Sequence, residues 1–144
     1  ILSYWKNAYV TCVDTWQTSK DDSQVLDFNF DKVEKKFDSN LQGFSYKKIK
    51  NTSELAFKRL SKGNKFDYIY IDGSHNGIDI FNDALASFEI LNVGGIIIFD
   101  DITNIYKDIE MQPHNAFEKF YSLYKKKIKI LYLKNIAVVK KTNF

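Results

Sequence analysis

Phe66-Asp67-Tyr68-Ile69-Tyr70-Ile71, followed by Asp72-Gly73-Ser74-His75-Asn76-Gly77, is the stretch on which the reading of this chain turns. Aromatic and β-branched residues dominate the first six positions, giving a short, almost continuous apolar run. A strand covered on both faces has this character. The run stops abruptly at a carboxylate and a loop with two glycines. Ile78, Phe81, Leu85, Phe88 and Leu91 then recur as one apolar helical face. Gly94-Gly95 is expected to break that helix. Ile96-Ile97-Ile98-Phe99 reads as a second buried strand, ending at Asp100-Asp101. One short helical crossover joins the two strands, so they should lie side by side and parallel, about 5 Å apart.

The same alternation extends in both directions. Upstream, Tyr9-Val10-Thr11-Cys12-Val13 is a strand ending at Asp14, and a polar stretch follows from Thr15 to Ser23. Phe30, Val33, Phe37 and Leu41 mark a helix that Asn29 or Asp31 is placed to cap. Phe44 to Lys50 allows a short strand. Asn51 with Glu54 forms a capping-box variant opening a helix to about Lys62, which Gly63 ends. Downstream, a helix starts near Pro113 with Phe117, Phe120, Tyr121 and Tyr124 on one side. Ile128 to Leu133, a tight Lys134-Asn135 turn and Ile136 to Val139 form a hairpin, so the last strand should run antiparallel. The whole is one domain over residues 1–144: an α/β, doubly wound, mostly parallel sheet with an antiparallel last strand.

Composition agrees with a single globular domain of 144 residues, 44% hydrophobic and 27% charged. Aromatics reach 16%, and their place in apolar runs assigns most of them to the core. A net charge of +3 is far below what a nucleic-acid binder usually carries. Lys125, Lys126, Lys127, Lys129, Lys134, Lys140 and Lys141 read as a solvated helix end and strand edge. No apolar stretch approaches the length of a membrane helix, and no signal peptide is visible. The single Cys12 cannot form an internal disulfide, which suits a reducing, cytoplasmic compartment.

Three strands therefore end in carboxylates: Asp14, Asp72, and Asp100 with Asp101. Ligands of open parallel sheets bind beyond the carboxyl ends of the strands. Asp72, Asp100 and Asp101 should converge on one small volume, where their mutual repulsion is relieved by a hard divalent cation such as Mg²⁺. The alternative is that each Asp caps its own turn. Asp14, at an earlier strand end, is suited to accept hydrogen bonds from a ribose diol. His75 lies where it can serve as a general base or fill a turn. His114, after Pro113, reads as exposed or structural.

Val13-Asp14-Thr15-Trp16, the run from Phe66 to His75, and Leu91-Asn92-Val93-Gly94-Gly95-Ile96-Ile97-Ile98-Phe99-Asp100-Asp101 together resemble class I S-adenosylmethionine-dependent methyltransferases. The resemblance is to the branch with an Asp-Gly-x-His loop and an Asp-Asp pair, which includes antibiotic- and sugar-modifying O-methyltransferases. It covers the chain from about Tyr9 to Val139 and implies a Rossmann-like fold. It also implies that Asp14 holds the cofactor ribose, that Trp16 lies near the adenosine, and that Thr52 and Ser53 lie near the adenine edge. Asp72, Asp100 and Asp101 match positions that bind Mg²⁺ in metal-dependent relatives. Asp72 is counted both with the cofactor and, beside His75, with catalysis. The implied activity is O-methylation of a small-molecule hydroxyl, with His75 taking the proton.

One departure stands out. The family's first strand and glycine loop should precede a helix ending near Tyr4-Trp5, and no glycine occurs before Gly43. The chain is thus expected to be an N-terminally truncated methyltransferase domain whose missing strand is the central one. Two apolar strand edges would then be left, to be closed by the fold, filled by a neighbouring segment or paired in a homodimer. A non-catalytic fragment or interaction module that keeps the fold without binding cofactor is the rival reading. Half of a nicotinamide-dependent dehydrogenase would share Asp14 but does not account for Asp100-Asp101 or the final hairpin. No nucleic-acid or membrane partner is expected.

Overall fold

Parallel pairing of β-branched segments organises each of two compact units, Ile1–Ala56 and Phe57–Phe144. The structure is a computed structural model and describes residues 4, 7–17, 29–60, 63, 65–107 and 109–143. In the first unit, β1 (Val10–Asp14) pairs in parallel with β2 (Tyr46–Lys50), with Asp14 opposite Lys50. Between them runs α1 (Phe30–Asn40), whose N-cap Asn29 accepts a side-chain hydrogen bond from the Lys32 N–H, as the sequence led us to expect. Trp16, 5% exposed, packs edge-on against Phe37 with ring centroids 5.1 Å apart, and Phe37 meets Tyr46 in turn. Lys48 lies over the Trp16 ring and pairs with Glu34 and Asp38. Hydrogen bonds from Lys48 and Lys50 hold the Glu34 carboxyl below its ordinary range.

The helix α2 (Ser53–Leu60) begins one residue later than a cap at Asn51 would give. The Asn51 side chain accepts from the Thr52 N–H, and the Thr52 hydroxyl accepts from the Leu55 N–H. Thr52 therefore satisfies the first turn. The far end of the expected helix, at Lys62, lies outside the described residues, as do Trp5 and most of the polar stretch after Gln17.

The second unit contains β3 (Phe66–Ile71), α3 (Gly77–Ile90), β4 (Leu91–Phe99), α4 (Pro113–Tyr124), β5 (Ile128–Leu133) and β6 (Ala137–Lys141). Its sheet order is β3-β4-β6-β5, parallel between β3 and β4 and antiparallel on either side of β6. The antiparallel last strand is as expected. Its insertion between β4 and β5 came from the structure. Alternate residues Ile71, Ile97, Phe99, Ala137 and Val139 are buried in one cluster with Ile80, Ala84 and Phe88 of α3 and Phe117 and Phe120 of α4. Phe99 contacts Phe117 and Phe120 at 5.3 Å each. Tilted and edge-on aromatic pairs of this kind contribute about 0.5–1.5 kcal/mol beyond their burial.

Two local expectations change. Gly94-Gly95 does not end the helix. The helix stops at Ile90, and the glycines lie inside β4, where pairing jumps from Phe66↔Leu91 to Tyr68↔Ile96. Gly94 takes φ +84°, and a Cβ on Gly95 would lie 2.9 Å from the Asn92 carbonyl oxygen, so the doublet makes a bulge. Lys141 is not a solvated edge residue: its ammonium donates to the Phe88 and Leu91 carbonyls and caps the end of α3. Strand β1 pairs only with β2 and β3 only with β4, so no pairing among the described residues closes the chain into one sheet. No helix among them is long and apolar enough to cross a membrane.

Candidate functional site

Parallel register of β3 and β4 sets Ile71 opposite Phe99, and the Asp100 N–H donates to the Ile71 carbonyl at 3.0 Å. Asp72 and Asp100 consequently leave neighbouring strands at the same end. A small depression there is lined by Asp72, Ser74, His75, Asp100 and Asp101 over Ile71, Ile80 and Pro113. It has room for about one water molecule and encloses nothing larger.

The sequence-predicted residues of this unit are therefore brought together, and Asp100, Asp101 and His75 each have a specific partner. Asp100 accepts from the Tyr70 hydroxyl at 2.5 Å and, through its other oxygen, from the Asp101 N–H at 2.9 Å. The Tyr70 hydroxyl is pushed far above its ordinary range, chiefly by that hydrogen bond. Asp101 sits at φ +50°, a left-handed conformation that Asp tolerates better than most residues. Its carboxylate lies 3.9 Å from His75 Nε2. Asp72 has its carboxyl raised, first by burial and then by the charges of Asp100 and Asp101. Among the described residues no group of three His, Cys, Asp or Glu side chains is placed to hold a metal ion. Each Asp100 oxygen thus already accepts one hydrogen bond from the protein.

Three residues that the sequence did not single out complete the site. The Tyr106 ring stacks on His75, centroids 4.5 Å apart and planes 15° from parallel. Gln112 holds Tyr106 by accepting from its N–H at 3.0 Å and donating to its carbonyl at 2.8 Å. The same glutamine precedes α4 without capping it through its side chain. Tyr106 and Gln112 thus fold back toward His75, and the Gly77 N–H donates to the Met111 carbonyl at 2.7 Å. Tyr70 was legible only as a strand residue. Its two-residue spacing from Asp72 was the one available signal that they share a side. His114 is exposed and takes no part.

The first unit gathers the other candidates by itself. The Asn51 N–H donates to the Asp14 carbonyl at 2.9 Å, so the ends of β1 and β2 lie together and bring Asp14, Thr52 and Ser53 to one edge. One Asp14 oxygen accepts from the Trp16 N–H at 2.6 Å, and the turn it makes puts Trp16 at φ +46°. Asp14 is exposed, and its second oxygen meets no donor among the described residues. The Trp16 ring is spent on Phe37 and Lys48.

A family model described as a methyltransferase domain matches residues 2–102. The chain belongs to the methyltransferase-domain family. Solved structures share the fold of this methyltransferase domain. The O-methyltransferase NovP is 15% identical with a TM-score of 0.68, over 99% of this chain and 64% of its own. The MycE methyltransferase from the mycinamycin biosynthetic pathway, solved with Mg and S-adenosylhomocysteine (SAH), is 15% identical with a TM-score of 0.60, over 94% of this chain and 45% of its own. The Bacillus cereus O-methyltransferase, solved with SAH, is 14% identical with a TM-score of 0.55, over 92% of this chain and 74% of its own. The methyltransferase domain thus spans less than two thirds of the NovP and MycE chains. No curated protein matches the sequence.

Proposed function

We propose that this protein transfers a methyl group from S-adenosylmethionine to a hydroxyl oxygen of a small molecule, with His75 as general base. The observation that carries this reading is the placement of His75, held between Asp101 and the Tyr106 ring at the carboxyl end of parallel strands. S-adenosylmethionine, when bound, supplies an electrophilic methyl on a positively charged sulfur. His75 takes the acceptor proton on Nδ1 while Asp101, 3.9 Å from Nε2, orients the ring and stabilises the imidazolium. Tyr106 fixes the plane of the ring, which limits the directions from which a hydroxyl can approach.

Asp72 is assigned to both cofactor and reacting centre. Two neighbouring carboxylates leave it in want of a positive charge, which a sulfonium provides. Asp14, with an exposed free oxygen, suits a ribose hydroxyl, and Thr52 and Ser53 offer hydroxyls toward the adenine edge. Trp16 contributes through the turn it makes with Asp14, its ring being packed. Strands β1 and β3, each paired on one side only among the described residues, are candidates for pairing with a second copy, which light scattering would reveal.

The test is calorimetric titration of S-adenosylmethionine and of SAH, whose sulfur is uncharged, into this chain and into Asp72→Asn. The expected result is tighter binding of the charged ligand by the native chain and loss of that preference in the variant. A folded sample that binds neither ligand would sink the enzymatic reading and leave a non-catalytic module.

A further inference from the structure

Tyr70 is not in the pocket lining but bonds one of its carboxylates, and no strand-end rule anticipates it. Its side chain is 47% exposed, yet its hydroxyl reaches Asp100 Oδ2 at 2.5 Å across the strand pair, 30 residues on. A hydrogen bond from a phenol to a charged carboxylate is stronger than one between neutral groups. The Asp101 N–H takes the other Asp100 oxygen, so one carboxylate charge is met by two donors from the protein itself. Asp101 meanwhile faces His75. Asp72 accepts no hydrogen bond among the described residues and lies under the charges of both Asp100 and Asp101, opposed by His75.

A hard divalent cation needs several carboxylate oxygens directed at it, at about 2.0–2.6 Å. With the phenol proton on Asp100 Oδ2, that lone pair is unavailable unless Tyr70 swings away. We infer that Tyr70 takes the place of a cation at the strand ends of this chain: its hydrogen bond to Asp100 neutralises the cluster in part and disfavours divalent-metal binding there. The inference concerns the pocket proposed above for methyl transfer, but its test needs neither cofactor nor turnover.

The experiment is titration of Mn²⁺, followed by loss of its free paramagnetic resonance signal, into the full chain and into Tyr70→Phe. Removing an exposed hydroxyl leaves the strand intact, which circular dichroism and the melting curve will verify. The native chain should bind Mn²⁺ weakly, and Tyr70→Phe about tenfold or more tightly, the change expected when a hydrogen bond to a charged group no longer competes. Adding Asp100→Asn to Tyr70→Phe should abolish the gain. Equal affinities in the native chain and Tyr70→Phe, whether tight or weak, would overturn the inference. So would a gain that survives Asp100→Asn. These outcomes are independent of the cofactor titration, so failure of one leaves the other standing.

Discussion

Replacing Gly77 with alanine tests whether the Met111–Gln112 turn is seated as closely on α3 as the structure has it. A methyl group built at Gly77 would lie 2.5 Å from the Gln112 carbonyl oxygen and 2.6 Å from that of Met111. Both are backbone atoms and cannot rotate aside. Restoring ordinary contact requires the turn to retreat by roughly 1 Å. That retreat breaks the 2.7 Å hydrogen bond from the Gly77 N–H to Met111, a loss of about 0.5–1.5 kcal/mol. Crowding in a packed region adds about 1–3 kcal/mol. Against this, alanine is the better helix former by about 1 kcal/mol. The balance is a destabilisation of about 1–3 kcal/mol, or a melting point lower by about 3–10 °C. Gly73→Ala is the control, because its nearest neighbour would be a side-chain oxygen at 3.9 Å. It should fall within about 0.5 kcal/mol of the native chain. Urea denaturation of the three chains reads both effects. A Gly77→Ala variant as stable as the native chain, or more so, would refute the close seating of the turn.

Further outcomes follow from the packing and the charges. Ser87 is fully buried in α3 with no hydrogen-bond partner for its hydroxyl among the described residues. Ser87→Ala should therefore stabilise by about 1 kcal/mol in the same denaturation assay. Gln112→Ala releases Tyr106 from both of its backbone hydrogen bonds. The His75 ring resonances should then shift in proton spectra while stability changes by less than about 1 kcal/mol. Unmoved resonances would show that Gln112 does not hold the stack. Asp72, raised above its ordinary value of 3.8, binds its proton more tightly folded than unfolded. Its contribution to stability is thus fully present in acid and is lost as pH rises through the folded pKa. Asp72→Asn should accordingly melt higher than the native chain near neutral pH, and the two curves should converge below the ordinary Asp range. A difference independent of pH would contradict the burial and repulsion assigned to Asp72.

Local order was legible because its causes are local. The Asn29 cap, the apolar spacing of α3 and the Pro113 start of α4 each depend on residues within a few positions of one another. The runs ending at Asp14, Asp72 and Asp100 announced parallel strands, and with them the side of each sheet where carboxylates collect. Where the sequence misled, a longer-range contact decided. Gly94-Gly95 looked like a helix stop, but pairing of β4 with β3 converts it into a bulge. Lys141 looked like one more exposed lysine, and only the return of β6 into the sheet brings it beneath α3.

By itself, then, the sequence determined the order of strands and helices, the antiparallel ending and the strand-end positions of the chemical groups. Periodicity and caps are written within one or two turns of chain. Tertiary structure decided that β6 lies between β4 and β5, that the Tyr70 hydroxyl meets Asp100, and that Gln112 and Tyr106 close over His75. These pairings join residues up to 44 positions apart, as Ile96 and Lys140 are. They are fixed by strand register and by the seating of a turn on a glycine, which no local pattern records.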